Sequence, residues 1–220
     1  MTAAKQPRAM MFVDGFNLYH PLAEYAAANN MNHIKWLNLH ALGEAIAIRR
    51  KEIFVGATYC TAYQTKDQEA KTRHKLYNDA LRAYGVKIEQ GHYMNVPTKL
   101  CGDCGMMGEK PTEKQTDINV ALSLFRAAWR DEYDVAYLLS VDSDQAATAR
   151  HFADEFKGKS LVSVAPPGKP HSNKVLQYNG GLKVTLTIAD ILKARLPNAV
   201  LKNGKPPIVC PRDYLPVNGT

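Results

Sequence analysis

Carboxylates recur in this chain where short apolar runs give way to loops or helices. Asp14 closes Met10-Met11-Phe12-Val13, Asp117 follows Thr116 at the head of an apolar helical stretch, and Asp142 and Asp144 follow Tyr137-Leu138-Leu139-Ser140-Val141. Acids gathered in one place repel one another unless a cation neutralises them, and the hard ions Mg²⁺ and Mn²⁺ take oxygen ligands of this kind. The expected chemistry is metal-assisted, with Asp14, Asp117, Asp142 and Asp144 as ligands of Mg²⁺ or Mn²⁺.

Each of these positions also has a structural reading. Asp117 opens a helix, where an acid can serve as a cap or a dipole partner. Asp144 is placed either to join the metal site or to cap the helix that runs toward His151 and Phe156. Gly15 permits tight backbone geometry directly after Asp14, and Asn17 offers an amide that would orient a phosphate or a carboxylate, or cap the first helix. Ser140 and Ser143 supply hydroxyls that could hold a water beside a metal, or stand as the ordinary small polar residues of a strand end.

Short runs rich in Val, Ile, Phe and Tyr must position these residues. They lie at 10–13, 53–60, 135–141 and 161–165, with a weaker one at 86–90, and read as buried parallel strands. Between them, Ile118, Ala121, Leu122, Phe125 and Trp129 repeat at the spacing of one helix face, as do Tyr77, Ala80, Leu81 and Tyr84 before Gly85. Strands alternating with helices predict an α/β fold, a mostly parallel central sheet flanked by helices in a Rossmann-type three-layer arrangement. In such sheets ligands bind beyond the carboxyl ends of the strands, where Asp14 and Asp142 fall.

With 220 residues and no Pro/Gly/Ser linker, the chain suits one domain over 9–196, preceded by a flexible terminus at 1–8 and followed by a Pro-, Gly- and Lys-rich tail at 197–220 that wraps the surface or is partly mobile. Residues 91–112 carry five glycines and prolines besides Gly91 and form an excursion between a strand and the next helix. The formal net charge of +7 fits a polyanionic partner, though it serves solubility equally well. No apolar stretch is long enough for a membrane span and Met1 to Arg8 lack a signal-like core, so no membrane partner and a cytoplasmic, reducing location are expected. Four cysteines do not make a disulfide framework for a chain of this size.

Three ordered segments narrow the reading further. Phe12-Val-Asp-Gly-Phe-Asn-Leu-Tyr19, Glu113-Lys-Gln-Thr-Asp-Ile-Asn119 and Tyr133-Asp-Val-Ala-Tyr-Leu-Leu-Ser-Val-Asp-Ser-Asp144 resemble the NYN domain family, a branch of the PIN-like nucleases, and its LabA-like bacterial members most. The resemblance extends to Gly91-His92-Tyr93 and to Pro166-Pro-Gly-Lys-Pro-His-Ser-Asn173. It implies a PIN-like sheet and a metal-dependent ribonuclease, a hydrolase with a site built from Asp14, Asp117, Asp142 and Asp144, with Asn17 beside them and Ser140 in support. Products with a 5′-phosphate and a 3′-hydroxyl are implied too. The chain departs from the family where Val141 stands before Asp142, a place relatives often give to glycine.

The substrate so implied is RNA, expected to be single-stranded, for which a basic track is needed. Arg73 with Lys71, Lys75 and Arg82 forms one cluster, Arg49-Arg50-Lys51 another, and Lys169, His171, Ser172 and Asn173, with Lys174, a third that follows a strand's carboxyl end. Lys114 lies beside Asp117, although charge runs are most often solvated faces. Cys101 and Cys104 supply two of the four ligands of a structural Zn²⁺, and His92, Cys60 or Cys210 would have to complete the set. A homo-oligomer is compatible with the sequence. The competing readings are an RNA-binding or adaptor module without turnover and, more remotely, a glycosyltransferase with a DxD metal site, which leaves Asp14-Gly-Phe-Asn17 and Asp117 unexplained. An aspartyl phosphatase would want a second acid where Phe16 stands.

Overall fold

Successive residues of β1 (Arg8–Asp14) point to opposite faces of the sheet, and both faces are apolar. Met11 and Val13 enter one core, Met10 and Phe12 the other, so this strand needs cover on both sides. The computed structural model, which describes residues 5–63, 67–97, 107–202 and 204–216, provides it. α1 (Gly15–Asn29), a 3₁₀ turn (Asn32–Lys35) and α2 (Leu39–Arg50) precede β2 (Ile53–Thr61), and α3 (Gln68–Ala83) leads to β3 (Lys87–Gln90). A hairpin of β4 (His92–Pro97) and β5 (Glu109–Lys114) follows, then α4 (Thr116–Trp129), β6 (Val135–Leu139), α5 (Gln145–Glu155) and β7 (Ser160–Ala165). The chain continues through α6 (Asn173–Tyr178), β8 (Lys183–Thr185), α7 (Ile188–Lys193), β9 (Ala199–Lys202) and β10 (Lys205–Val209).

Six strands form one sheet in the order β3-β2-β1-β6-β7-β8, and every neighbouring pair is parallel. The chain winds outward from β1 in one direction through β2 and β3, then in the other through β6, β7 and β8. The crevice beyond β1 and β6 is therefore the topological switch point, where ligands of open α/β sheets bind. Leu18, Leu22, Leu42, Ile46 and Leu81 cover one face, while Val120, Leu124, Ala149, Phe152 and Val175 cover the other. This is the three-layer α/β fold expected from the alternation of strands and helices. Arg8 ties β1 to the approach to β6, donating to Asp134 from both its backbone N–H and its guanidinium.

The stripe Ile118, Ala121, Leu122, Phe125 and Trp129 of α4 lies mostly outward: Ile118, Leu122 and Trp129 are 59%, 61% and 65% exposed, and Phe125 packs at the edge of the core. The helix instead buries Val120, Leu124, Ala127 and Ala128 against the sheet. α4 carries two apolar stripes, and periodicity does not say which one meets the core.

The excursion after β3 is built as an antiparallel ladder, His92 opposite Lys114 and Pro97 opposite Glu109. Gly91 starts it because a Cβ there would stand 2.6 Å from the Lys114 carbonyl oxygen. Within the tail, β9 and β10 pair antiparallel, and Val200 and Cys210 join Trp36, Ala80 and Leu196 in a small third core. The Trp36 indole donates to the Pro197 carbonyl at 2.9 Å. Cys101 and Cys104 lie outside the described residues. Cys60 and Cys210 are buried free thiols in different cores, so they do not stand together as ligands.

Candidate active site

Asp14 ends β1 in extended geometry and its carboxylate turns back to cap α1, Oδ1 accepting from the N–H groups of Phe16 at 3.0 Å and Asn17 at 3.1 Å. Gly15 makes this turn feasible, since a Cβ would lie 2.7 Å from the Cys60 carbonyl oxygen of the neighbouring strand. The cap is therefore Asp14 itself and not Asn17. Oδ2 remains for other work and accepts from the Asn17 amide at 2.5 Å and the Ser140 hydroxyl at 3.3 Å.

A short relay carries the arrangement into the loop after β6. Asn17 Oδ1 accepts from the Val141 N–H at 3.3 Å, Ser140 Oγ from the Asp142 N–H at 3.2 Å, and Asp142 Oδ1 from the Asp144 N–H at 2.9 Å. The loop that starts with Val141 is thus held to α1 by side chains, and a glycine there is not needed to shape it. Asp144 occupies the N-cap position of α5, yet its side chain makes no capping bond and is exposed.

Asp117 enters from α4. The helix is capped by Glu113, whose Oε1 accepts from the Thr116 N–H at 2.9 Å and from the Thr116 hydroxyl, so Asp117 is not spent as a cap. Gln115 just before it adopts a left-handed conformation, φ 77°, and its side chain pairs with His92. Partial burial, followed by the charges of Asp14 and Asp142, raises the pKa of Asp117 to about 6. Asp14, only 1% exposed, is likewise raised, chiefly by burial. Gln145, also buried, donates to the Asp117 carbonyl at 3.3 Å and accepts from Thr148, linking α5 to α4.

Three acids thus come to the same end of the sheet, Asp14 buried, Asp142 half-buried and Asp117 exposed, with Asp14 and Asp142 close enough for Asp117 to feel their charges. Among the described residues, no three His, Cys, Asp or Glu side chains already form a metal-sized group. The donor set nonetheless fits a hard divalent cation: its groups are carboxylate, amide and hydroxyl oxygens, and two carboxyls held together with raised pKa values are the electrostatic situation a cation relieves.

The outlying positions are differently placed. His171 is held by the sheet, its Nδ1 pairing with Ser163 and its Nε2 with Thr185. Lys169 pairs with Glu24 at 2.9 Å, Lys114 is exposed on β5, and Ser172 and Asn173 begin α6. Arg73 pairs with Asp213 at 3.3 Å in the wall of a cavity. That cavity, of about 600 Å³, adjoins the acids through Gly15, Phe16 and Glu113. The sequence reading did not anticipate it, nor the roles of Glu113 and Gln145. Glu113 three residues before Thr116 was the visible signal; the Gln145 bond and the cavity depend on elements remote in sequence.

A doubly wound parallel sheet with acids gathered at its switch point defines a nuclease-like, PIN-like class of protein. The chain belongs to the NYN domain family, whose model matches residues 8–179. Members of that family are generally nucleases that act on RNA, and PIN-like nucleases typically use divalent metals. The fold is similar to the crystal structure of a protein of unknown function from Vibrio parahaemolyticus, at a TM-score of 0.52 and 16% identity, covering 84% of this chain and 96% of that one. No curated protein matches the chain. Among the described residues, no helix is long and apolar enough to cross a membrane.

Proposed function

We propose that this chain is a divalent-metal-dependent ribonuclease that hydrolyses phosphodiester bonds of single-stranded RNA. The observation that carries this is the Asp14 carboxylate buried at the switch point, with Asp117 beside it feeling the charges of both Asp14 and Asp142. Asp14 is buried as a carboxylate while Asp117 stands exposed above it, an arrangement that leaves oxygens facing outward for a cation and that clusters at functional sites.

Asp14 Oδ2, Asp117 and Asp142 are the groups that would hold Mg²⁺ or Mn²⁺. Such an ion would neutralise charge on the phosphate and make water a better nucleophile at neutral pH. Asn17 fixes the orientation of Asp14 through its amide and that of the β6 loop through Val141. Ser140 bridges the same two parts, donating to Asp14 and accepting from Asp142 N–H. Asp144, exposed at the mouth, would meet the substrate side of the site or a second cation.

Asp14→Asn keeps an oxygen acceptor for the α1 cap but removes the charge. It is expected to abolish Mn²⁺-dependent cleavage of a generic RNA, with the chelated wild type as control, while the circular dichroism spectrum and RNA binding persist. Wild-type rates in Asp14→Asn would remove Asp14 from the mechanism. RNA binding without cleavage by the metal-loaded wild type would favour the adaptor reading instead.

A further inference from the structure

The cavity beside the acids is set apart by what lines it. Its walls come from the start of α1, the end of β2, α3, the β4–β5 hairpin and the segment after β10, and aromatic rings dominate them. Phe16 and Tyr93 meet edge to face at 6.2 Å, and Phe16 stacks on His20 at 6.0 Å. Two cations stand among these rings. Lys35 Nζ lies 6.0 Å from the Tyr19 ring centre and 5.9 Å from that of Tyr214, and Arg73, paired with the exposed Asp213 at 3.3 Å and Glu69 at 3.7 Å, lines the α3 wall.

We propose that this cavity receives one unstacked nucleobase of a single-stranded RNA, next to the phosphate on which the acids act. The assignment rests on the ribonuclease reading above and adds the position and state of the substrate. About 600 Å³ lies within the range of small-ligand pockets, roughly 300–1,000 Å³, and suits one nucleotide rather than a duplex. Ring faces bind bases of any sequence by stacking, while cations among the rings attract the connecting phosphate. Phe16 joins the two sites directly: its ring lines the cavity, and its N–H holds Asp14. Glu113 does the same from the other side, lining the cavity while capping the helix that carries Asp117. A base seated here is withdrawn from any helix, so a paired strand must melt before it can bind.

Two measurements test this. Nucleoside 5′-monophosphates are titrated into the protein in EDTA, so that binding is read apart from cleavage. Saturable binding is expected, weakened roughly tenfold by Tyr93→Ala and by Arg73→Gln; no saturable binding of any of the four overturns the assignment. The second measurement needs no variant protein: a short single-stranded RNA carries one abasic nucleotide at successive positions. Cleavage should fall at least fivefold when the missing base lies at one fixed distance from the cut, and equal cleavage at every position overturns the assignment. A protein that cuts RNA yet binds no mononucleotide refutes the pocket alone. One that binds mononucleotides through Tyr93 and Arg73 yet cuts nothing supports the pocket and refutes the ribonuclease reading.

Discussion

At Gly15 the chain has no room for a side chain, and the competing effects there can be ranked. Alanine is the better helix former by about 1 kcal/mol, which by itself would make Gly15→Ala stabilising. Against this, the new Cβ would stand 2.7 Å from a carbonyl oxygen and 3.0 Å from the Tyr59 ring, both in the buried end of β2. Overpacking of this kind costs about 1–3 kcal/mol and moves the residue on which the site depends. Gly15→Ala is therefore expected to lower the urea midpoint and to reduce cleavage; a midpoint at or above wild type would show that β2 yields. His74 supplies a second test, of pH dependence. It sits on α3 with its Nε2 paired to Thr61, and burial lowers its pKa from 6.5 to about 4. The folded chain thus prefers neutral imidazole, so its contribution is fully present above pH 6.5 and is lost as pH falls from 6.5 to about 4, because only the unfolded chain takes up the proton. The loss is at most about 3 kcal/mol. His74→Gln should flatten the decline of unfolding free energy between pH 7 and pH 4.5; parallel curves for the two proteins would remove His74 as its cause.

Elements repeat this contest between local pattern and tertiary context, most clearly in α4. Leu122 and Leu124 are alike in sequence terms, yet Leu122 is 61% exposed and Leu124 fully buried. Leu124→Ala should cost about 2–5 kcal/mol through lost burial and the cavity left behind, whereas Leu122→Ala should stay within about 0.5 kcal/mol. Equal effects in chemical denaturation would mean that the outer stripe is covered in solution. The long strands were readable because Met10 to Val13 and Tyr137 to Leu139 are apolar on both faces, which only a central parallel strand needs. β9 and β10 were not readable, since Lys202, Lys205, Pro206 and Pro207 give no apolar alternation and the pairing is set by the partner strand. For the site, Asp14, Asp117 and Asp142 could be picked out because each follows a recognisable element boundary. Their mutual approach could not, because it depends on β1 and β6 being neighbours although many residues separate them. The cavity was least visible, since Phe16, Tyr93 and Tyr214 each pass for ordinary aromatic residues until the fold brings them together.

For the whole molecule, the excess of positive charge must be reconciled with a site made of acids. The net charge is +7, but many cations are already paired, as Arg8 is with Asp131 and Asp134 and Arg50 with Glu52. Global charge therefore overstates what a substrate meets, and local contacts should set the salt dependence. Lys35 and Arg73 stand in the cavity and Lys169 lies in the loop after β7, on the same strand-end side of the sheet; the acids paired with Arg73 and Lys169 are solvent-exposed, so these weak pairs can give way to a phosphate. With about three phosphate contacts, log K should fall with log salt at a slope near −2, which is roughly 20-fold between 50 and 200 mM. Asp14→Asn in EDTA allows this to be measured on intact single-stranded RNA. Adding Lys169→Ala should make the slope shallower by about 0.7, one contact's share. Its ion pair with Glu24 is exposed on both sides and contributes little to stability, so unfolding need not confuse the result. An unchanged slope would place the strand away from β7, running from the acids toward the cavity alone. A slope far steeper than −2 would mean that RNA is bound over the general basic surface rather than along one path through the switch point.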